Sequence, residues 1–177
     1  MDNENLISFF HKLGELKAIK RSGWVRCDIP KPESVADHSF RCAFMAMVLG
    51  DILDVDSERL IKMALIHDIA EVVAGDITPH DGVTREEKSR IEERGLEELL
   101  KGIKNSDHYI DLWREYEEGE SMEARLVQNI DRLEMAMQAV EYQNKYSNNN
   151  LSEFITNAKE QIDLPEIMEL FHGIELA

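Results

Sequence analysis

The segment that most constrains the fold is "ALIHDIAEVV", residues 64–73, because it is apolar nearly all the way round a helix. A helix of that kind is normally buried. His67, Asp68 and Glu71 nevertheless interrupt it, and burying ionised groups costs free energy unless a partner compensates them. The segment therefore predicts a buried helix whose polar side chains share a common partner.

Helical periodicity also dominates the remainder of the chain, and few alternating β-branched runs are present from which a sheet could form. We predict a compact all-α single domain spanning residues 1–177, with a motif-bearing core at about 5–145 and a turn at "SNNN", 147–150. The predicted helices lie at about 3–19, 34–53, 57–74, 84–104, 107–118, 121–146 and 151–173. "CDIPKP" at 27–32 and "GDITPHDGVT" at 75–84 are predicted loops.

Capping signals support several of these helix starts. They are the capping-box pairs Ser34–Asp37 and Thr84–Glu87, and the single caps Ser57 and Ser152. The helix at 84–104 is heavily charged, with Arg and Glu at helical neighbour spacing, which predicts a solvated helix with ordinary ion pairs.

Net charge and cysteine usage exclude some classes of partner. The formal net charge of −16 argues against broad binding to nucleic acid polymers or anionic membranes. Residues 12–31 are the exception, with six basic side chains against two acidic ones, and form a candidate anion-binding segment. Cys27 and Cys42 are too few for a disulfide framework, and the first residues, "MDNENLISFF", lack the pattern of a secretory signal, so a cytoplasmic location is expected.

Two further helices contain ionisable residues at otherwise apolar positions. His38 lies in the first turns of the helix at 34–53, and Asp131 interrupts "ARLVQNIDRLEMAMQAV". Two imidazoles and two carboxylates, from His38, His67, Asp68 and Asp131, would solve the burial problem together by binding one divalent transition metal, Mn, Fe, Co, Ni or Zn. The alternative is that each is an ordinary hydrogen-bonded core residue, because the spacing alone fixes no local motif.

At this point the chain resembles a known family, the HD-domain metal-dependent phosphohydrolases, whose pattern is a His, a His-Asp doublet and a later Asp on successive helices. The segments "GWVR" (23–26), "PESVADHS" (32–39), "ALIHDIAEVVAGDITP" (64–79) and "NIDRLEMAMQAVEYQ" (129–143) are similar to those of its 5′-deoxynucleotidase branch. The resemblance spans about residues 5–145 and implies hydrolysis of deoxyribonucleoside 5′-monophosphates to deoxynucleoside and phosphate, by a homodimer with one metal per site.

The resemblance also gives roles to nearby residues. Glu71 is the candidate general acid/base, and Asp76 is assigned to substrate positioning or proton transfer. Trp24 is expected to form a flat wall that disfavours ribonucleotides. Arg21 or Arg26 is expected to bind the phosphate; both stay open, because Ser22 and Gly23 separate Arg21 from Trp24, whereas the bacterial members have Arg directly before Trp.

Three alternatives stay open at the level of sequence. The chain could be another HD phosphohydrolase, such as a phosphodiesterase or a nucleoside-triphosphate hydrolase, although it lacks the additional basic residues or histidines that those enzymes use. It could also be a non-catalytic nucleotide-binding protein. Retention of all four candidate ligands together with Glu71 argues against the non-catalytic alternative.

Glu134 and Arg132, next to Asp131, are candidates for contacts behind the metal ligands or for ordinary ion pairs.

Overall fold

A computed structural model of the chain describes residues 3–146 and 151–175. Within these ranges every regular element is helical, and the one β-type pairing is an antiparallel bridge between Lys20 and Ser34. The α-helices are α1 (Asn3–Leu13), α2 (Ser22–Arg26), α3 (Val35–Leu53), α4 (Ser57–Ile66), α5 (Glu71–Ala74), α6 (Arg85–Leu99), α7 (Ser106–Glu118), α8 (Met122–Lys145), α9 (Ser152–Gln161) and α10 (Pro165–Glu175). The all-α prediction is confirmed, and the predicted turn at 147–150 lies outside the described residues.

The structure divides three predicted helices. The helix expected at 3–19 ends at Leu13 and continues as a 3-10 turn, Gly14–Lys17. The helix expected at 151–173 divides into α9 and α10, because Pro165 can only begin a helix and not continue one. The helix expected at 57–74 is interrupted between α4 and α5, at the His-Asp doublet. The short α2 was not predicted.

Helix capping follows the sequence at two sites and departs from it at two others. Both predicted capping boxes form, at Ser34–Asp37 and Thr84–Glu87. The predicted cap Ser57 is wrong, because the side chain of Asp56 accepts the hydrogen bond from the Arg59 amide and Ser57 is the first helical residue. The predicted cap Ser152 is wrong as well: Leu151 occupies the N-cap and Ser152 begins the helix.

The centre of the fold is formed by α3, α4 and α8, which pack against one another. α3 and α4 form an antiparallel hairpin that requires Gly50, since a Cβ there would lie 2.9 Å from a Leu60 methyl and 3.0 Å from the Ser57 Cα. Buried apolar residues form a cluster that extends from Leu16 to Phe171. The core therefore holds together α3 and α8, which contain His38 and Asp131, and α4, whose C-terminal end is followed by His67 and Asp68. No helix among the described residues is both long and apolar enough to span a bilayer.

Candidate metal centre

The backbone tightens where α4 ends, and this places the His-Asp doublet. Residues 67–70 form turns with hydrogen bonds from residue i+3 to residue i, such as Ile69 N–H to the Ile66 carbonyl at 3.2 Å and Glu71 N–H to the Asp68 carbonyl at 3.1 Å. One side chain also bonds to this segment, since the Trp113 indole N–H donates to the His67 carbonyl at 3.1 Å. Such a tightened stretch within a helix is common at functional sites.

The four predicted ligands meet at one point. The Nε2 atom of His38, on α3, lies 3.3 Å from His67 Nε2, 3.1 Å from Asp131 Oδ1 on α8, and 3.6 Å from Asp68 Oδ2. His67 Nε2 lies 3.3 Å from Asp68 Oδ2. Neighbouring ligands around an ion with bonds of about 2.1 Å are separated by about 3.0 Å in octahedral and about 3.4 Å in tetrahedral geometry. Three of the four observed separations fall in this range, and the His38–Asp68 separation of 3.6 Å is slightly longer.

Both imidazoles are oriented by acceptors at their other nitrogen. His38 Nδ1 lies 2.6 Å from Glu134 Oε2, and His67 Nδ1 lies 2.7 Å from the Ala64 carbonyl oxygen. An acceptor at Nδ1 places the proton there and leaves the Nε2 lone pair free for a metal. The two lone pairs point toward the same place.

Glu134 connects His38 to a charged network. Its Oε1 accepts from Arg41 Nε at 2.7 Å, and Arg41 also pairs with Glu141 at 2.9 Å. Burial by itself raises the pKa of Glu134, but the His38 hydrogen bond and the Arg41 charge outweigh burial and lower it. Of the two predicted outer contacts, Glu134 lies behind a ligand, whereas Arg132 instead contacts Gln161 and a backbone carbonyl of α8.

The donor set and its electrostatics fit a divalent transition metal. Burial lowers the pKa of His67, but the carboxylates of Asp68 and Asp131 outweigh burial and raise it. The site thus favours positive charge where the two Nε2 atoms point. Two nitrogens and two carboxylate oxygens suit Mn, Fe, Co, Ni or Zn better than all-oxygen cations such as Mg or Ca. Cys42 Sγ also lies close, 3.6 Å from His38 Nε2, and burial raises the pKa of this thiol to about 11.

Glu71 lies beside this cluster as a buried carboxyl group. Its residue is 1% exposed, and neither carboxyl oxygen has a hydrogen-bond partner among the described residues. Burial, with the charges of Asp68 and Asp76, raises the pKa of Glu71 well above its usual value and outweighs the opposing charge of Arg21. A buried carboxyl group without a hydrogen-bond partner is expected to meet a water or ligand oxygen.

Arg21 is the cation at the centre of these carboxylates. Its Nη1 lies 3.0 Å from Asp68 Oδ2, 3.8 Å from Glu71 Oε1 and 4.0 Å from Asp76 Oδ1. Asp76 fixes the start of α2, because its carboxylate accepts from the Ser22 amide and its backbone carbonyl accepts from Ser22 Oγ at 2.9 Å. The loop that contains Asp76 therefore holds Arg21 in place.

Arg26 lies elsewhere. Its guanidinium pairs with Glu153 at 3.3 Å and lies 5.9 Å from the ring centre of Phe154. The structure thus brings Arg21, and not Arg26, to the carboxylates of the cluster.

The sequence predicts that Trp24 forms a flat wall beside the substrate, and in the structure this side chain is buried among aromatic neighbours. Its residue is 2% exposed, and its indole N–H donates to Glu33 Oε1 at 2.8 Å. The Phe154 ring covers it at a centroid distance of 4.4 Å, and Tyr142 meets it edge-on at 5.4 Å. The physical reason is that α9 packs over α2, a long-range contact that no local pattern encodes.

Sequence reasoning missed the role of α7. Trp113 supports the His67 backbone, and the Tyr116 ring lies edge-on to the His67 imidazole, with centroids 5.3 Å apart. Their spacing of three residues places both on one helix face. The sequence feature that could have indicated this contact is the pair of aromatic residues on one apolar helix face. A buried indole N–H requires an acceptor, so Trp113 could be expected to donate a hydrogen bond to a neighbouring segment.

The fold and this cluster place the chain in the HD domain family, whose model matches residues 13–168. The human 5′-deoxynucleotidase HDDC2 is 36% identical over 174 residues, 97% of this chain and 85% of the human protein. The Schizosaccharomyces pombe 5′-deoxynucleotidase hdd1 is 36% identical over 157 residues, 85% of this chain and 79% of that protein.

Solved structures show the same fold. A conserved hypothetical protein from Pyrococcus furiosus has a TM-score of 0.83 and 32% identity, covering 97% of this chain and 99% of the other. The predicted metal-dependent phosphohydrolase from Magnetospirillum magnetotacticum has a TM-score of 0.77 and 26% identity, covering 97% of this chain and 90% of the other. The expected family is therefore confirmed.

Proposed function

We propose that the chain is a metal-dependent phosphomonoesterase that hydrolyses deoxyribonucleoside 5′-monophosphates to deoxynucleoside and phosphate. The observation that carries this proposal is the meeting of the His38, His67, Asp68 and Asp131 side-chain atoms beside Glu71, a buried carboxyl group that has no hydrogen-bond partner among the described residues. The 5′-deoxynucleotidase names of relatives covered over most of their length support the choice of substrate. The chain acts as a single domain, in keeping with the core cluster that spans it.

Each residue of the candidate site has a proposed role in the hydrolysis. His38, His67, Asp68 and Asp131 would hold the ion, whose chemistry is to polarise the phosphoryl group and supply hydroxide near neutral pH. Arg21 binds the phosphate oxygens with its planar guanidinium. The bond between phosphorus and O5′ breaks as the oxygen of water bonds to phosphorus, and Glu71 gives its proton to O5′ of the departing deoxynucleoside. The proton that the water loses restores the protonated form of Glu71.

Asp76 serves substrate positioning. Its carboxylate already accepts from the Ser22 amide and faces Arg21, so it holds the phosphate-binding arginine rather than moving a proton. Selectivity against ribonucleotides is assigned to Trp24 acting through Phe154, which covers it. Trp24→Ala should then raise the rate ratio of ribonucleotides to deoxyribonucleotides, and an unchanged ratio would remove this role.

The proposal is tested by phosphate release from a panel of deoxy- and ribonucleoside mono-, di- and triphosphates and a phosphodiester, with each divalent metal added after chelation. His67→Ala should lose metal and activity together, with exposed His172→Ala as control. Glu71→Gln should keep the metal but lose turnover by about 10²–10⁴-fold, with exposed Glu86→Gln as control. Cleavage of the diester or the triphosphates alone would instead favour the other phosphohydrolase classes.

We further propose that the protein is a homodimer of the cytoplasm. Along α3, four apolar residues spaced four apart remain 40–70% exposed: Phe40, Phe44, Val48 and Ile52. A groove of about 670 Å³ lies beside them, lined by apolar residues of α3, α8 and α10. Such a stripe can pack against its own copy about a two-fold axis. Neither cysteine forms a disulfide, in keeping with a reducing compartment.

Sedimentation tests the dimer. Phe44→Glu should produce monomers, whereas Leu65→Glu, at a 53%-exposed apolar position on α4, should not. A wild-type monomer at micromolar concentration would contradict the proposal.

A further inference from the structure

One face of α6 is turned toward the candidate site, although the sequence predicts a solvated helix. Gly95 makes this possible: a Cβ there would lie 3.3 Å from the Ala70 carbonyl oxygen and 3.3 Å from Val73 Cβ. Glu92, almost one turn earlier, is 5% exposed, and Lys88 lies one further turn toward the N-terminus. The close approach at Gly95 therefore brings a lysine and a glutamate to the segment that contains Asp68 and Glu71.

Lys88 lies in the field of the site carboxylates. Burial lowers the pKa of its ammonium group, but the charges of Glu92, Asp68, Glu71 and Asp76 outweigh burial and raise it. Three of these four carboxylates are the ones that Arg21 faces from α2. Two cations from different elements thus act on one group of carboxylates beside the metal ligands.

The Lys88 ammonium group has N–H donors that Glu92 does not occupy. Its Nζ lies 3.4 Å from Glu92 Oε1, longer than the 2.7–2.9 Å that is usual for a charge-assisted hydrogen bond. An ammonium group carries three N–H donors, and its side chain is 38% exposed. Glu92 therefore leaves N–H donors of Lys88 available for a second partner.

We infer that Lys88 is a second phosphate-binding residue, which together with Arg21 receives the dianionic phosphate of the substrate at the metal centre. A phosphomonoester brings two negative charges to a site that already contains Asp68, Asp76 and Asp131, so a single arginine leaves that charge incompletely balanced. Glu92 positions the lysine from the side of α6. The inference rests on the proposed function, since it names a contact for the same substrate.

The test measures binding of inorganic phosphate by calorimetry to Mn²⁺-loaded protein, in addition to steady-state kinetics. Lys88→Met should weaken phosphate binding and raise KM by about 10- to 100-fold, the loss of one charge-assisted hydrogen bond. Lys88→Arg should restore most of the affinity. Arg94→Met is the matched control, because it removes the same charge from an exposed position of the same helix. Glu92→Gln keeps the ammonium group and should retain phosphate binding within about threefold.

The outcomes separate this inference from the proposed function. Unchanged phosphate affinity in Lys88→Met overturns the inference, even if the wild type hydrolyses deoxynucleotides. Equal losses in Lys88→Met and Glu92→Gln also overturn it, because they indicate a structural ion pair only. If the wild type binds phosphate through Lys88 but hydrolyses no deoxynucleotide, the proposed function fails and the contact stands.

Discussion

Replacing Glu134 by Gln tests whether the metal ligands depend on the carboxylate behind them. Glu134 is fully buried and accepts from His38 Nδ1 at 2.6 Å and from Arg41 Nη2 at 2.6 Å. Glutamine has nearly the same shape, but one of its two terminal groups is a donor. That donor must face either His38 or Arg41, both of which donate. An amide facing His38 moves the imidazole proton to Nε2 and removes the lone pair that would bind the ion.

The expected loss of metal affinity in Glu134→Gln depends on whether the glutamine NH₂ group faces His38 or Arg41. Arg41 is partly exposed and keeps Glu141 and Gln138 as partners, so the amide oxygen is expected to stay with His38. The imidazole then keeps its orientation but loses a charged acceptor, and such changes lower metal affinity by about 10- to 100-fold, or about 1.4–2.8 kcal/mol.

Metal affinity is measured by competition with a chromogenic chelator, and phosphate release is measured at limiting and saturating metal. Activity should recover substantially at saturating metal. Glu141→Gln, which changes the exposed carboxylate at the far end of the network, is the matched control. A Glu134→Gln affinity within twofold of the wild type would refute the argument that His38 depends on this carboxylate.

Three further results are expected. Chelation should lower the thermal midpoint by about 5–11 °C relative to protein at 100 times its metal Kd, because about 2.7 kcal/mol of binding energy is linked to folding; an unchanged midpoint would mean that no ion joins α3, the doublet and α8. Burial raises the pKa of Glu92 to about 7 from 4.5, so the folded state holds this proton more tightly than the unfolded state, and stability falls as pH rises through that window. The free energy of unfolding of the wild type relative to Glu92→Gln should therefore fall by roughly 3 kcal/mol between about pH 4 and about pH 8, measured in urea, whereas parallel curves would contradict this. Phe154→Ala should uncover Trp24 and increase acrylamide quenching of tryptophan emission; quenching equal to wild type would show that another group covers the indole.

The candidate ligands could be predicted from the sequence because each is an ionisable residue within an apolar segment. His38, His67, Asp68 and Asp131 all come together as expected, and the two capping boxes form. These are local signals: apolar periodicity and caps depend on residues within a few positions of each other.

What the sequence did not indicate depends on contacts between distant segments. The interruption after α4 is stabilised by Trp113, which lies 46 positions from His67 in the sequence. The Trp113 indole N–H donates a hydrogen bond to the His67 carbonyl oxygen. Trp24 is covered by Phe154 from α9, and the close packing of α6 on α5 depends on Gly95. Periodicity predicted α6 as solvated, since its mean composition is charged and the buried stripe occupies one narrow face.

The His67 and His38 imidazoles are oriented by hydrogen bonds to the Ala64 carbonyl and to Glu134, which belong to the central helices. The groups proposed to face the nucleotide come from α2, the loop at 75–78 and α6. The groups proposed to orient a metal and the groups proposed to face the nucleotide thus come from different parts of the chain. Substitutions at the proposed nucleotide-facing positions are therefore expected to change the preferred phosphate ester more than they change metal affinity.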